Sequence, residues 1–453
     1  MEKMVRYPFY YYLAIFLFII HCISFWIFFL KKIDKNIFRP DILSIHNKNY
    51  EALQYIVPIN PNDLIIDSTN NRRIVSNIVN IALKNKNKDI FQFADDLKKE
   101  YQDASYEVVY LDSVIGRLQL KLPSTNREQF KEEVKIKMSK DSLLVWDEMI
   151  FENFNSPSKL VSNQKDLWYL NDINVNNAWN ISLGNSNTII AVVDNGFDIN
   201  HPELKNKVVK PYNVVDKNTN VIPSGENHGT HVASIAVGSY DNTNDAYAGI
   251  CPSCSLMPIK VEDKNGFFSM SYVIDAILYA VKNNADVINL SLGVELPLEM
   301  NQLSLSQQKE IIKSQSKDLE TFWNDLFLYA KEKNTVCVIA AGNNHILTGI
   351  DPFQRSENSI KVGAYSRIAN IAKFSNFGNY TTLYAPGEKI KGAKNNSQYE
   401  YLEGTSMSTP IVSGLIGLIK SKNPKYNYDQ TINVLMQNTI VENNIKKLKI
   451  KTI

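Results

Sequence analysis

The sequence predicts an α/β fold built on a doubly wound, mostly parallel sheet, preceded by a small α+β plait and an N-terminal transmembrane helix. Three observations predict it. Short apolar runs end abruptly in polar residues: Ile189–Val193 before Asp194, Val287–Leu292 with Asn289 and Ser291 inside it, and Val336–Ala341 before Gly342 and Asn343. Runs of this kind, unbroken by polar alternation, suit strands covered on both faces, as in parallel sheets flanked by helices. Between residues 86 and 160 short helical and strand patterns alternate, and residues 8–30 carry no charge. A chain of 453 residues, 44% hydrophobic with 18 glycines, can bury a large core and a second small one. A net charge of +2 without a basic stripe gives no reason to expect nucleic acid as a partner.

The elements divide the chain into four stretches. In residues 1–32, the apolar span 8–30 lies between Arg6 and Lys31-Lys32. It is long enough to cross a bilayer, which needs about 20 apolar residues. No Ala-x-Ala-like site comes after it, so an uncleaved anchor is favoured over a cleaved signal. Lys3 and Arg6 face Lys31, Lys32 and Lys35 across the span, so charge alone does not orient it. Residues 33–85 form a stem of unclear structure, with room to add a strand or helix to the plait. Residues 86–160 read as a helix at Asp89–Tyr101, strands at Tyr106–Leu111 and Arg117–Leu122, a helix at Asn126–Met138 and a strand at Leu143–Phe151. That alternation is an α+β plait. An Asn-Ser-Pro-Ser linker within 153–164 leads to a catalytic domain spanning 165–453.

The chemistry-bearing residues fall inside this last stretch. Ser406 stands in Gly404-Thr405-Ser406-Met407-Ser408-Thr409-Pro410, a helix start. Serine is a poor nucleophile unless a base takes its proton and a carboxylate orients that base. His228 heads His228-Gly229-Thr230-His231-Val232-Ala233-Ser234, a tightly packing helix with the imidazole at its exposed start, and Asp194 closes its strand at the sheet's carboxyl edge. Asn343 ends another strand with a carboxamide. Taken singly, Asp194 is a strand-end turn residue or cap, Ser406 a cap and Asn343 a turn former. His228 and His231 alone suggest a metal pair, although no HExxH-type glutamate lies between them. Four unrelated caps would rarely meet in these contexts and in this order.

Together these segments, over about residues 165–425, resemble the catalytic domain of the subtilisin family of serine endopeptidases. The order Asp, His, Ser agrees with it. The resemblance implies that Asp194 holds His228, that His228 takes the proton of Ser406, and that the Asn343 amide and the Ser406 N–H receive the oxyanion. Activity should then fall as His228 protonates. It implies that an extended peptide substrate pairs as an added strand with Ser291, Leu292 and Gly293 on one side and with the Lys264–Phe268 segment, notably Gly266 and Phe268, on the other. Phe267 and Phe268 suggest an apolar pocket. The plait is similar in position and pattern to a family propeptide, a second partner that assists folding and then occupies the cleft; a spacer domain is the plainer alternative.

No cofactor is needed for this chemistry. A structural calcium ion at Glu203 and the loop 240–245 is implied as an option, beside ordinary Asn-Asp turns. A protease domain is better tolerated outside the cytoplasm, periplasmic or extracellular, held at the membrane through residues 8–30 or released by processing. In such a compartment Cys251 and Cys254 could form a small surface disulfide. Asn195 and Ser408 depart from the family pattern, the polar stretch Glu295 to Asp318 lies beside the cleft, and the tail after Asn423 lacks a Gly-rich closing strand. Two other functions stand beside peptidase: a catalytically silent binding scaffold, and a metal-dependent hydrolase built on His228 and His231.

Overall fold

In the computed structural model, which describes residues 56, 58–67, 72–101, 106–123, 127–138, 141–153, 156–157, 167–240, 247–315 and 317–453, the chain first builds a plait. Its elements are β1 (Leu64–Ile66), β2 (Arg73–Leu83), α1 (Ile90–Glu100), β3 (Glu107–Asp112), β4 (Arg117–Lys121), α2 (Arg127–Lys137) and β5 (Leu143–Asn153). Asp89 caps α1 by accepting from Phe91 N at 2.9 Å, and Lys98 and Lys99 complement the helix dipole at the other end. The strands pair antiparallel in the order β5-β2-β4-β3. One face buries Val79, Ile81, Leu120 and Val145 against Phe93, Leu97, Phe130 and Val134 of α1 and α2. The other face carries Ile74, Ile78, Trp146 and Met149 into a core shared with the rest of the molecule. Strand β2 lies in the stretch expected to be a stem; it is the central partner of the plait sheet.

After β6 (Ser156–Pro157), α3 (Trp168–Asp172) and α4 (Val175–Trp179), the main sheet begins with β7 (Ile189–Asp194) and β8 (Tyr212–Asn213). The chain continues through α5 (His228–Val237), β9 (Ser255–Lys260), β10 (Phe268–Ser269), α6 (Met270–Lys282), β11 (Val287–Leu290) and β12 (Leu292–Val294). Next come α7 (Leu305–Ser314), α8 (Lys317–Glu332), β13 (Val336–Ala340), β14 (Ser359–Tyr365), β15 (Leu383–Pro386), β16 (Ile390–Lys394) and β17 (Gln398–Glu403). Helices α9 (Thr405–Lys422) and α10 (Tyr428–Gln437) and the hairpin β18 (Thr439–Glu442) and β19 (Ile445–Leu448) close the chain. The sheet order is β18-β19-β15-β14-β13-β11-β7-β9-β8, parallel except for the final hairpin. That hairpin supplies the closing edge that the short tail left open in sequence.

Both faces of the sheet are covered, and strand alternation shows how. Ala191 and Val193 join the core with α6 and α8, whereas Ile190 and Val192 join the opposite core with α5 and α9. This double burial gives the strands their continuous apolar runs. The polar stretch after Glu295 folds as a short 3-10 turn and α7, with Met300, Ile311 and Ile312 packed around Ile346 and Ile350. Cys251 and Cys254 are joined in a disulfide that is buried rather than at the surface. Gly184, at φ +93°, passes so close that a Cβ there would lie 2.4 Å from Cys251 Sγ.

The apolar span 8–30 lies outside the described residues. Among the described residues no helix is long and apolar enough to cross a membrane.

Candidate active site

Four of the expected residues converge at the carboxyl edge of the sheet. Asp194 ends β7, and its carboxylate accepts from His228 Nδ1 at 2.8 and 3.0 Å, with both side chains fully buried. His228 heads α5 as expected, but it is buried rather than exposed. Its Nε2 has no hydrogen-bond partner among the described residues. Ser406 is the second residue of α9; its Oγ donates to Ser291 O at 3.0 Å.

The helix start is organised around a proline. Pro410 lacks an N–H, so the carbonyl four residues back, that of Ser406, loses its helical donor. Ser291 Oγ supplies one at 2.9 Å. Behind it, Asn289 Nδ2 donates to Ser291 Oγ at 2.9 Å, and Ser413 Oγ donates to Asn289 Oδ1 at 2.9 Å. This buried chain ties β11 to α9 beneath the serine.

Asn343 is held by one end of its amide. Its Oδ1 accepts from Thr405 N and Thr405 Oγ1, both at 2.9 Å, and Thr405 Oγ1 accepts from Gly342 N at 3.1 Å. Its Nδ2 is left buried without a partner among the described residues. An unpartnered imidazole nitrogen, an unpartnered amide and a serine hydroxyl at one edge of the sheet are the groups that acyl transfer requires.

The cleft beside them holds the chain's own backbone. The end of β5 lies between two catalytic-domain segments: Ile150 and Phe151 pair antiparallel with Ser269 and Phe268, while Phe151, Glu152 and Asn153 pair with Val294, Gly293 and Leu292. Beyond the cleft, Ser156 and Pro157 pair with Glu403 and Leu402, just before Ser406. Residues 150–153 and 156–157 are thus both paired with the larger domain. Phe151 fills an apolar pocket, its ring edge-on to Phe353 at 5.4 Å and 6.2 Å from Trp323.

A profile described as the subtilase family matches residues 185–451. The chain belongs to the subtilase family. It is 37% identical over 245 residues to the thermophilic serine proteinase of Bacillus sp. (strain AK1), covering 54% of this chain and 55% of that protein. Thermitase of Thermoactinomyces vulgaris is 34% identical over 54% of this chain and 78% of its own length. Halolysin of Haloferax mediterranei is 31% identical over 72% of this chain and 60% of its own. The alignments thus span little more than half the length of several of these subtilases.

Within the subtilase domain, the structure separates the remaining expected residues. Leu292, Gly293 and Phe268 pair directly with the occupying strand. Ser291 stands one step nearer the serine, its hydroxyl and carbonyl both committed to Ser406. Gly266 shapes the turn below β10 at φ +81°, its N–H donating to Asp263 O. His231 packs its ring against Gly392, where a Cβ would come within 2.6 Å; burial and then His228 push its pKa down to about 3. It is a neutral packing group, and among the described residues no set of three or more His, Cys, Asp and Glu side chains could hold a metal ion. Glu203 accepts from the Tyr399 hydroxyl, and residues 241–245 of the expected calcium loop lie outside the described residues.

Asn195, a departure from the family pattern, joins the triad's two elements. Its N–H donates to Asp194 Oδ1 at 2.8 Å and its Oδ1 accepts from Gly229 N at 3.0 Å. Ser408, the other departure, donates to the carbonyls of Ala385 and Pro386. Thr405, Asn289 and Ser413 do not stand out in the sequence; only the Thr-Ser step before the nucleophile hints at the first. Near the triad, burial pushes Glu262 up to about 7, with Lys260 opposing and Asp194, Asp263 and Glu226 adding to the rise.

Proposed function

We propose that this subtilase is a serine endopeptidase made as a self-processing zymogen, with the plait as its propeptide and Phe154–Asn155 as the bond it cuts first. The observation that carries this is the register around the serine. Asn153 is paired with Leu292 and Ser156 with Glu403, three residues before Ser406, which supports a cut between residues 153 and 156. Backbone pairing gives the cleft its affinity for extended peptides, and the pocket filled by Phe151 favours a large apolar residue four positions before the cut. Ser406 Oγ attacks the Phe154 carbonyl carbon as its proton passes to His228 Nε2. The oxyanion takes a hydrogen bond from Asn343 Nδ2. The C–N bond breaks as His228 returns the proton to the Asn155 nitrogen, and water, deprotonated by the same imidazole, releases the acyl group.

The same reading places the enzyme outside the cytoplasm, anchored through residues 8–30 until processing frees it. The test is labelling and turnover. Wild type should react covalently at Ser406 with a fluorophosphonate and hydrolyse a peptide such as Ile-Phe-Glu-Asn-Phe-Asn-Ser, and Ser406→Ala should do neither. A wild-type chain that neither labels nor hydrolyses would instead be a silent scaffold.

A further inference from the structure

Glu295 extends the substrate-pairing strand by one residue: its N–H donates to Ile150 O at 3.2 Å. With Gly293 opposite Glu152 and Val294 opposite Phe151, Glu295 stands opposite Ile150. Side chains two apart on a strand share a face, so Glu295 lies on the face of Glu152, the residue three positions before the cut. Gly293, directly across from Glu152, offers no side chain, and Glu295 is the one charged residue in 292–295.

The Glu295 carboxylate is paired with Arg73 at 2.9 Å. Arg73 belongs to β2 of the plait, so the cation leaves when the propeptide does. The residue now in the substrate position is itself acidic. Burial pushes Glu152 up to about 7, Glu295 adds to that rise and Arg73 opposes it. The zymogen thus supplies from β2 the positive charge that its own cleavage sequence lacks.

Resting on the peptidase reading, we infer that Glu295 is a specificity-determining residue that favours Lys or Arg three positions before the cut, in place of Arg73. The pair is partly exposed, so the preference is modest and sensitive to salt.

The test uses the full chain after self-processing and three peptides, Ile-Phe-X-Asn-Phe-Asn-Ser with X as Lys, Gln or Glu. Wild type should cleave them in the order Lys, Gln, Glu, with kcat/KM differing about three- to tenfold between the extremes at low salt. The spread should shrink at high salt, collapse in Glu295→Gln and reverse in Glu295→Lys. Equal cleavage of all three by wild type, or an undiminished Lys preference in Glu295→Gln, overturns the subsite and leaves the peptidase reading standing. No cleavage of any peptide, together with no fluorophosphonate labelling of Ser406, overturns the peptidase reading and the subsite with it.

Discussion

In the proposed mechanism, Asn343 is a side chain made ready for a charge that appears only during reaction. Thr405 takes both lone-pair directions of its Oδ1, which fixes the amide and leaves Nδ2 as the free donor. Asn343→Ala should therefore lower kcat by about 10²–10³ with little change in KM. Thr405→Val keeps the shape but strips the Oγ1 contacts to Asn343 and Gly342, so it should lower kcat by about tenfold and cost about 1–3 kcal/mol of stability. Peptide kinetics with denaturant titration separates the two effects. At this scale the sequence is most readable where the chemistry tolerates one residue type in one context, as at Asp194, His228, Ser406 and Asn343. Ser291, Asn289 and Ser413 are not readable as supports, because their partners lie more than a hundred residues away in the chain.

Strand β5 and helix α6 meet in a buried polar contact between the plait and the subtilase domain. Glu148 Oε1 accepts from Ser271 N at the start of α6, and Oε2 accepts from Ser271 Oγ, Asn80 Nδ2 and Gln119 Nε2. A carboxylate at a helix N-terminus is favoured by the dipole, and this one is buried. Removing it leaves several buried donors unpaired. Glu148→Ala should weaken retention of the cleaved propeptide by about 2–5 kcal/mol, seen as faster separation of the two fragments on gel filtration. The sequence places the α1, β3, β4, α2 and β5 elements within a residue or two. It hides β2, because Arg73–Leu83 is buried on both faces and lacks the polar alternation that marks a strand. Nor does it reveal that β5 runs on into the cleft, since register is set by partners from distant parts of the chain.

Across the whole molecule, the proposed docking of the plait in the cleft should depend on pH. Glu152 has its pKa raised from 4.5 to about 7 in the docked state, by burial first and then by Glu295, against Arg73. A raised carboxyl pKa means the docked state binds the proton more tightly. Its contribution is fully present below the ordinary carboxylate value and is lost as pH rises through about 7. The cleaved propeptide should accordingly dissociate faster at pH 8 than at pH 5, and Glu152→Gln should flatten that part of the dependence. Stopped-flow recovery of peptidase activity after a pH jump measures it. The layered fold is legible because the main sheet is buried on both faces; the pairing of residues 150–153 and 156–157 with the subtilase domain is not, because it is a relation between two folded units.

On the proposed reading, Ser406 cuts Phe154–Asn155 of its own chain. Intact mass and N-terminal sequencing of the full chain, wild type beside Ser406→Ala, test it most directly. The account predicts a wild-type catalytic fragment beginning at Asn155 and a Ser406→Ala chain left whole. A cut elsewhere, or the same cut in Ser406→Ala, would contradict it.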